Sequence, residues 1–285
     1  MGAESDTGNE DIHFYIDNAP PDEVTHVLRV LSVDDSLTPD EIAKVMVNQY
    51  GFEMQRDHSY SPRRLYDLGV ASQERQGPKV TYRLTERGAK LQVIQAMNPA
   101  LATDLLHYLH YTSYSGNPND RKYLWSYRKC CEIIWSTQHL VPNQNLASQI
   151  LSRMSEEFSS LNWTARVGAR FDSTAVGRVY TWLRALDPLP FTKSDKDLHP
   201  RFVQRFELAL LALDDTYRSR QYHYGDSVLM DESLVNQVAG VFFLDPRCCA
   251  DLLRLSANIV PSVKMSDTLG GASINLLRPF SIDDL

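Results

Sequence analysis

At 285 residues, with 43% hydrophobic and 23% charged residues, the chain has the composition of an ordinary globular protein, which excludes a mostly disordered chain, a collagen-like repeat and a coiled-coil rod. No window approaches the roughly 18 consecutive apolar residues that a membrane span needs. The net charge of −7 hides an uneven distribution: residues 1–55 carry twelve acids against Arg29 and Lys44, whereas residues 56–90 carry eight bases against four acids. An acidic protein with one compact basic segment is not a general polyanion binder, so nucleic-acid contact, if it occurs, belongs to residues 56–90. The polar, acidic start Met1-Gly2-Ala3-Glu4 lacks the apolar stretch of a signal peptide, and we expect a cytoplasmic protein. The four cysteines form two adjacent pairs, Cys130-Cys131 and Cys248-Cys249. Neighbouring side chains diverge on a helix or strand, so these pairs read as small buried hydrophobes rather than zinc half-sites or disulfides.

In chain order, residues 1–21 read as an acidic flexible leader ending in Ala19-Pro20-Pro21. Val24, Val27, Leu28 and Leu31 then recur at helical spacing. A second helix is announced by Thr38 as N-cap, Pro39 at the first helical position and the acids Asp40 and Glu41 at the positive end of the dipole, with Gly51 beyond its end. A third starts at Ser61-Pro62-Arg63-Arg64 and stops at Gly69. The period then changes: Val70 to Arg75 and Lys79 to Leu84 read as strands around a Gln76-Gly77-Pro78 turn, with Val80, Tyr82 and Leu84 alternating against Lys79, Thr81 and Arg83. Thr85 caps a further helix that runs to about Met97, before Asn98-Pro99.

The string Leu65-Tyr66-Asp67-Leu68-Gly69-Val70, followed by Tyr82-Arg83-Leu84-Thr85-Glu86-Arg87-Gly88, resembles the end of a winged-helix domain of the bacterial MarR or PadR type. In that type a recognition helix ends in a Leu-Gly-hydrophobic step, a β-wing follows and a Leu-Thr-x-x-Gly motif opens the next helix. The connection from Tyr50 to Tyr60 is longer than the usual turn of about three or four residues. The resemblance implies an N-terminal winged helix-turn-helix with a two-stranded β-wing over residues 22–97; with the helical pattern of a C-terminal domain over 98–285, the expected fold is mainly α. The resemblance also implies duplex-DNA contact. Ser59, Tyr60, Ser61, Arg63 and Arg64 would lie at the reading end of the third helix, where arginine forks onto guanine and backbone amides hold a phosphate. Arg75, Lys79 and Arg83 would project from the wing toward the backbone or minor groove.

From Asn98 onward the chain is helical by pattern, with periodic segments at 100–111, 123–135, 145–158, 173–186, 201–214 and 231–243. The helices around 145–158 and 173–186, with Arg166 and Arg170 between them, are a candidate second helix-turn-helix-like unit. Arg153, Arg166, Arg170, Arg178 and Arg184 are expected to pair with nearby acids. The string from Tyr217 to Tyr224 interleaves aromatics with bases, a composition that stacks on single-stranded bases or packs its tyrosines down. Asp104-x-x-His107-x-x-His110 has helical metal-ligand spacing but no evident fourth ligand. No phosphate-binding glycine loop, nucleophile elbow or zinc-protease signature occurs. We therefore expect no catalysis and no cofactor. The expected role is a non-enzymatic duplex-DNA-binding protein, either a transcriptional regulator or the DNA-recognising accessory of a larger prokaryotic machine such as an anti-phage defence system. The C-terminal domain would offer a surface for a protein partner or a second copy. The alternative is a scaffold subunit whose winged helix contacts protein, its acidic first 55 residues suiting a basic partner.

Overall fold

The computed structural model describes residue 16 and residues 19–55, 57–113, 122–138, 144–160, 173–191, 197–268 and 271–285. Among the described residues the chain forms eleven α-helices and two small antiparallel sheets. None of these helices is long and apolar enough to cross a membrane.

The first elements are α1 (Pro21–Val30), α2 (Pro39–Tyr50), α3 (Tyr60–Asp67), β1 (Ala71–Gln76) and β2 (Lys79–Leu84). Their ends follow from local chemistry. Thr38 Oγ1 accepts from Glu41 N while the Glu41 carboxylate accepts from Thr38 N at 2.8 Å, a reciprocal cap contributing about 1 kcal/mol. Gly51 and Gly69 end α2 and α3 with φ of 61° and 71°, a backbone conformation that costs a side chain free energy and glycine none. Leu37, between α1 and α2, forms an isolated bridge with Tyr82, each amide bonded to the other's carbonyl at 2.9 and 2.8 Å. β2 therefore has β1 on one side and Leu37 on the other.

Next come α4 (Glu86–Met97), α5 (Pro99–Thr112), α6 (Lys122–Thr137), α7 (Gln144–Ser160) and α8 (Ser173–Leu183). Asn98 joins α4 to α5 without a linker: its amide bonds Ile94 O and its side chain accepts from Leu101 N. Gln92 and Gln95 on α4 donate to backbone carbonyls of α1 and its end, fixing the two helices together. One contiguous set of buried side chains runs from Ile16 through the helices to Ile282. Most of the expected leader, residues 1–15, 17 and 18, lies outside the described residues. Its last part is packed rather than free, because Ile16 and Ala19 are buried and their carbonyls accept from Arg178 and Trp182 of α8.

The C-terminal part adds strands to the expected helical domain. It contains α9 (Phe206–Ser219), β3 (Ser227–Leu229), α10 (Glu232–Phe242), α11 (Pro246–Ile259), β4 (Val263–Thr268), β5 (Gly271–Leu276) and a final 3-10 turn, Ile282–Asp284. The helix expected from Arg201 begins only at Phe206, because Arg201 is extended and its backbone bridges Leu244.

These elements repeat the order of the first unit: helix, extended segment, helix, helix, hairpin. The hydrogen bonding repeats as well. β1 and β2 pair from Ala71 opposite Leu84 to Gln76 opposite Lys79, and β4 and β5 pair from Val263 opposite Leu276 to Thr268 opposite Gly271. Leu37 faces Tyr82, the fourth residue of β2, and Val228 faces Ile274, the fourth residue of β5. Just past each hairpin, Thr85 N bonds Val70 O at 3.0 Å and Leu277 N bonds Ser262 O at 2.8 Å. The sequence showed no repeat, yet the two units share one topology and one register. They differ between the middle helices, where the first unit has the segment Gly51 to Ser59 and the second only Phe243, Leu244 and Asp245.

Candidate nucleic-acid interface

Helix α3 presents one face to solvent and buries the other. Arg63 and Tyr66 are exposed, Ser59 and Tyr60 are half-buried, and Leu65 and Leu68 lie in the core. Two expected contact residues are corrected. Ser61 is fully buried, its hydroxyl donating to Glu23 Oε1 at 2.5 Å. Arg64 is also fully buried, close enough for its charge to act on His110 of α5 and Tyr127 of α6. Neither side chain reaches the surface where a base edge would meet it.

Carboxylates gather near the amino end of α3, the place expected for a phosphate, although no side chain caps the helix there. Glu23, 2% exposed, accepts from Gln55 N at 2.8 Å through its second oxygen. Asp57 accepts from the Ser59 hydroxyl and amide at 2.6 and 3.0 Å, and these bonds hold its carboxyl below the usual range. Asp40 pairs with His58 at 3.0 Å. Negative charge suits the positive end of a helix, so these carboxylates would compete with a phosphate there. Beside it opens a groove of about 750 Å³ walled by Asp40, Asp57, His58 and Tyr60.

The hairpin keeps its cations outside. Residues opposite one another on neighbouring strands share a face. Ser72 with Arg83, Glu74 with Thr81 and Gln76 with Lys79 thus form one face, and Gln73 with Tyr82 and Arg75 with Val80 the other. Lys79 and Arg83 share the outer face, and Arg75 lies on the face of buried Tyr82. Arg63 of α3 is near enough to Tyr82 to act on its phenol, which burial pushes up. Arg83 pairs with Glu74 at 3.2 Å with both side chains about half exposed, and Arg75 makes a 3.4 Å contact to Gly77 O. Exposed pairs of this kind contribute little and exchange readily. Arg63 and Arg75 thus lie toward the Tyr82 face, Lys79 and Arg83 lie on the opposite face of the hairpin, and Arg56 lies outside the described residues.

The other candidate groups turn inward. Asp104, His107 and His110 face different partners. Asp104 pairs with Arg201 and Arg205 at 2.8 and 2.6 Å. His107 donates from Nε2 to Val241 O at 2.8 Å and accepts from the Tyr127 hydroxyl at 2.7 Å. His110 stacks on Tyr127 at 3.7 Å between ring centroids, and neither of its nitrogens has a hydrogen-bond partner among the described residues. No cluster of three or more His, Cys, Asp or Glu is placed to hold a metal among the described residues. Tyr217 is buried, bonded to Asp226 O, with Tyr222 and Tyr224 packed against it. Arg153 bonds Ser136, Arg178 bonds Ile16 O and Arg184 lies over the Tyr180 ring. Arg166 and Arg170, and with them the connection of the candidate unit at 145–186, lie outside the described residues. Cys130, Cys131 and Cys249 are buried free thiols.

Burial holds both histidines neutral, His107 at about 4 and His110 well below the usual 6.5. A depressed folded value makes the unfolded state bind more protons, so this stability is complete above pH 6.5 and is lost progressively below it, the share of His107 being gone by about pH 4. We expect His110→Phe, which keeps the stack and removes the two unpaired nitrogens, to raise stability at pH 7 by about 1 kcal/mol. It should also remove the share of the acid loss due to His110. Urea midpoints at pH 7 and 5 test both, and a less stable H110F protein at pH 7 would mean that the ring nitrogens are satisfied.

No family model, curated protein or solved structure matches the chain.

Proposed function

We propose that residues 21–84 form a winged-helix unit that binds duplex DNA, with the outer face of α3 at the groove and the β1–β2 hairpin beside the backbone. The observation that carries this reading is that Arg63, Arg75, Lys79 and Arg83 all remain exposed on α3 and the hairpin. A helix face flanked by a cationic ribbon is suited to a major groove and its phosphates. Leu37 supports it as a short third strand beside β2. The second unit sharpens the assignment. Counted back without gaps from its hairpin, its positions matching Arg63, Arg75, Lys79 and Arg83 hold Leu255, Asp267, Gly271 and Asn275. These four positions of the second unit carry no cation, although Arg254 and Lys264 lie beside them, which supports the first unit as the nucleic-acid surface. Base reading then rests on Arg63 with Tyr66 beside it, and the protein acts as a regulator or as the DNA-recognising part of a larger assembly.

A second reading is favoured by Asp40 and Asp57 beside the start of α3 and the groove they border: a scaffold subunit that receives a basic protein segment there. Titrating a labelled mixed-sequence duplex at several salt concentrations separates the two. DNA contact through Lys79 and Arg83 should give a steep salt slope that falls by about 0.9 for each of K79A and R83A. R63A should instead cost about 1–3 kcal/mol at one base position. A salt response unaffected by all three substitutions rejects the DNA reading and leaves the basic-partner one.

A further inference from the structure

Where the first unit meets the end of the chain, a cavity of about 500 Å³ opens between the end of α3, the start of α4, the end of α5, α9 and the tail after β5. Its volume falls in the range of small-molecule sites, about 300–1,000 Å³. Its walls come from both repeated units: Leu68 and Gly69 from the first, and Asp214, Arg218 and Tyr224 from the second.

Leu68, Leu109 and Phe280 supply apolar wall, and two guanidinium groups supply charge, Arg87 from α4 and Arg218 from α9. Arg87 Nε is buried and has no hydrogen-bond partner among the described residues. The one carboxylate in the wall, Asp214, is already committed, accepting from Arg218 Nε at 2.8 Å, Tyr224 OH at 2.9 Å and Phe280 N at 3.0 Å. The wall phenols stay protonated, since burial raises Tyr108 well above its ordinary value and burial with the Asp214 bond pushes Tyr224 up to about 12. The tail supplies a competitor from outside the wall: Asp283 reaches Arg87 Nη2 at 3.0 Å, and its carbonyl accepts from Lys90 at 2.7 Å.

We propose that this cavity binds a small organic anion, its oxyanion on Arg87 and Arg218 and its short apolar chain against Leu68, Leu109 and Phe280. Asp283 is then a built-in rival for Arg87 that the ligand displaces. A ligand here touches the last residues of α3 and the tail together, and its binding does not require α3 to touch DNA.

Melting temperatures of the full chain with hexanoate, hexyl phosphate and hexanol test this, since a ligand specific for the folded state raises the melting temperature with concentration. The two anions carry the shared chemistry and distinguish a carboxylate from a phosphate head. At least one should give a saturable rise, and hexanol should give none. Arg87→Met should weaken binding by about tenfold or more, the loss of a charge-assisted hydrogen bond. Asp283→Asn, an exposed change that removes the rival, should tighten it. The proposal is overturned by no rise with either anion at millimolar concentration, by a rise with hexanol equal to that with the anions, or by an unchanged affinity in R87M. Should R87M fail to fold, D283N decides alone, and an affinity no tighter than the parent's overturns it.

Discussion

Asp104→Ala is expected to cost about 3–5 kcal/mol of folding stability, the penalty for stranding a buried charge. Asp104 and the side chain of Arg201 are both fully buried, and Arg205 is mostly so. Arg201 also donates to the carbonyls of Asp187, Pro188 and Phe242 at 2.8, 2.8 and 3.1 Å. Those bonds satisfy its N–H groups without neutralising its charge. The cluster ties α5 to the segment before α9 and to the end of α10, so its loss would loosen the seat of the second unit. Removing both partners should be milder than removing one, because no charge then remains to be solvated: Asp104→Leu with Arg201→Met should recover much of the loss. Denaturant midpoints of the single and double variants measure this. A single variant within about 1 kcal/mol of the parent, the size of an exposed ion pair, would show that water reaches Arg201.

The parts of this fold legible in the sequence are those written in local chemistry. The Thr38-Pro39 start and Gly51 stop bound α2, Thr85 opens α4, and the alternation from Lys79 to Leu84 gives β2 residue for residue. Of the second unit, α9 and α10 were legible in part, and α11 and the strands were not. β3 has only three residues, and the alternation in β4 and β5 reduces to Val263 with Met265 and Ile274 with Leu276. Asp231 and Asp245, which cap α10 and α11, and Gly271 with φ of 122° were its available signals. In the candidate site, periodicity sends Arg63 to solvent correctly and Arg64 wrongly. The burial of Arg64 depends on His110 and Tyr127, which arrive from later helices, and no local pattern encodes such a meeting. Glu23 gave a fainter warning. It precedes Val27 by one helical turn and so sits on the apolar stripe, where an acid needs a partner; Ser61 and the Gln55 amide provide it.

Gly88→Ala is expected to destabilise the first unit by about 2–3 kcal/mol, the upper end of overpacking. Alanine is the better helix former by about 1 kcal/mol, so a gain would follow if α4 stood alone. Packing reverses the sign. A Cβ at this position would lie 2.1 Å from the Val70 carbonyl oxygen and 3.1 Å from Leu84 Cδ2. Backbone cannot swing aside as a flexible side chain does. The same oxygen accepts from Thr85 N and Thr85 Oγ1, each at 3.0 Å, and Thr85 Oγ1 in turn accepts from Gly88 N at 3.1 Å. Moving Val70 therefore strains the junction of hairpin and helix at the point where Thr85 caps α4. The glycine of the Leu84-Thr85-Glu86-Arg87-Gly88 string owes its place to this close approach, not to turn conformation. Gly88→Val should cost more than Gly88→Ala, and the loss should show first as faster amide exchange in β1 and β2. A G88A protein as stable as the parent would mean that α4 shifts along the hairpin without cost, and the position of Arg87 at the cavity would then be adjustable too.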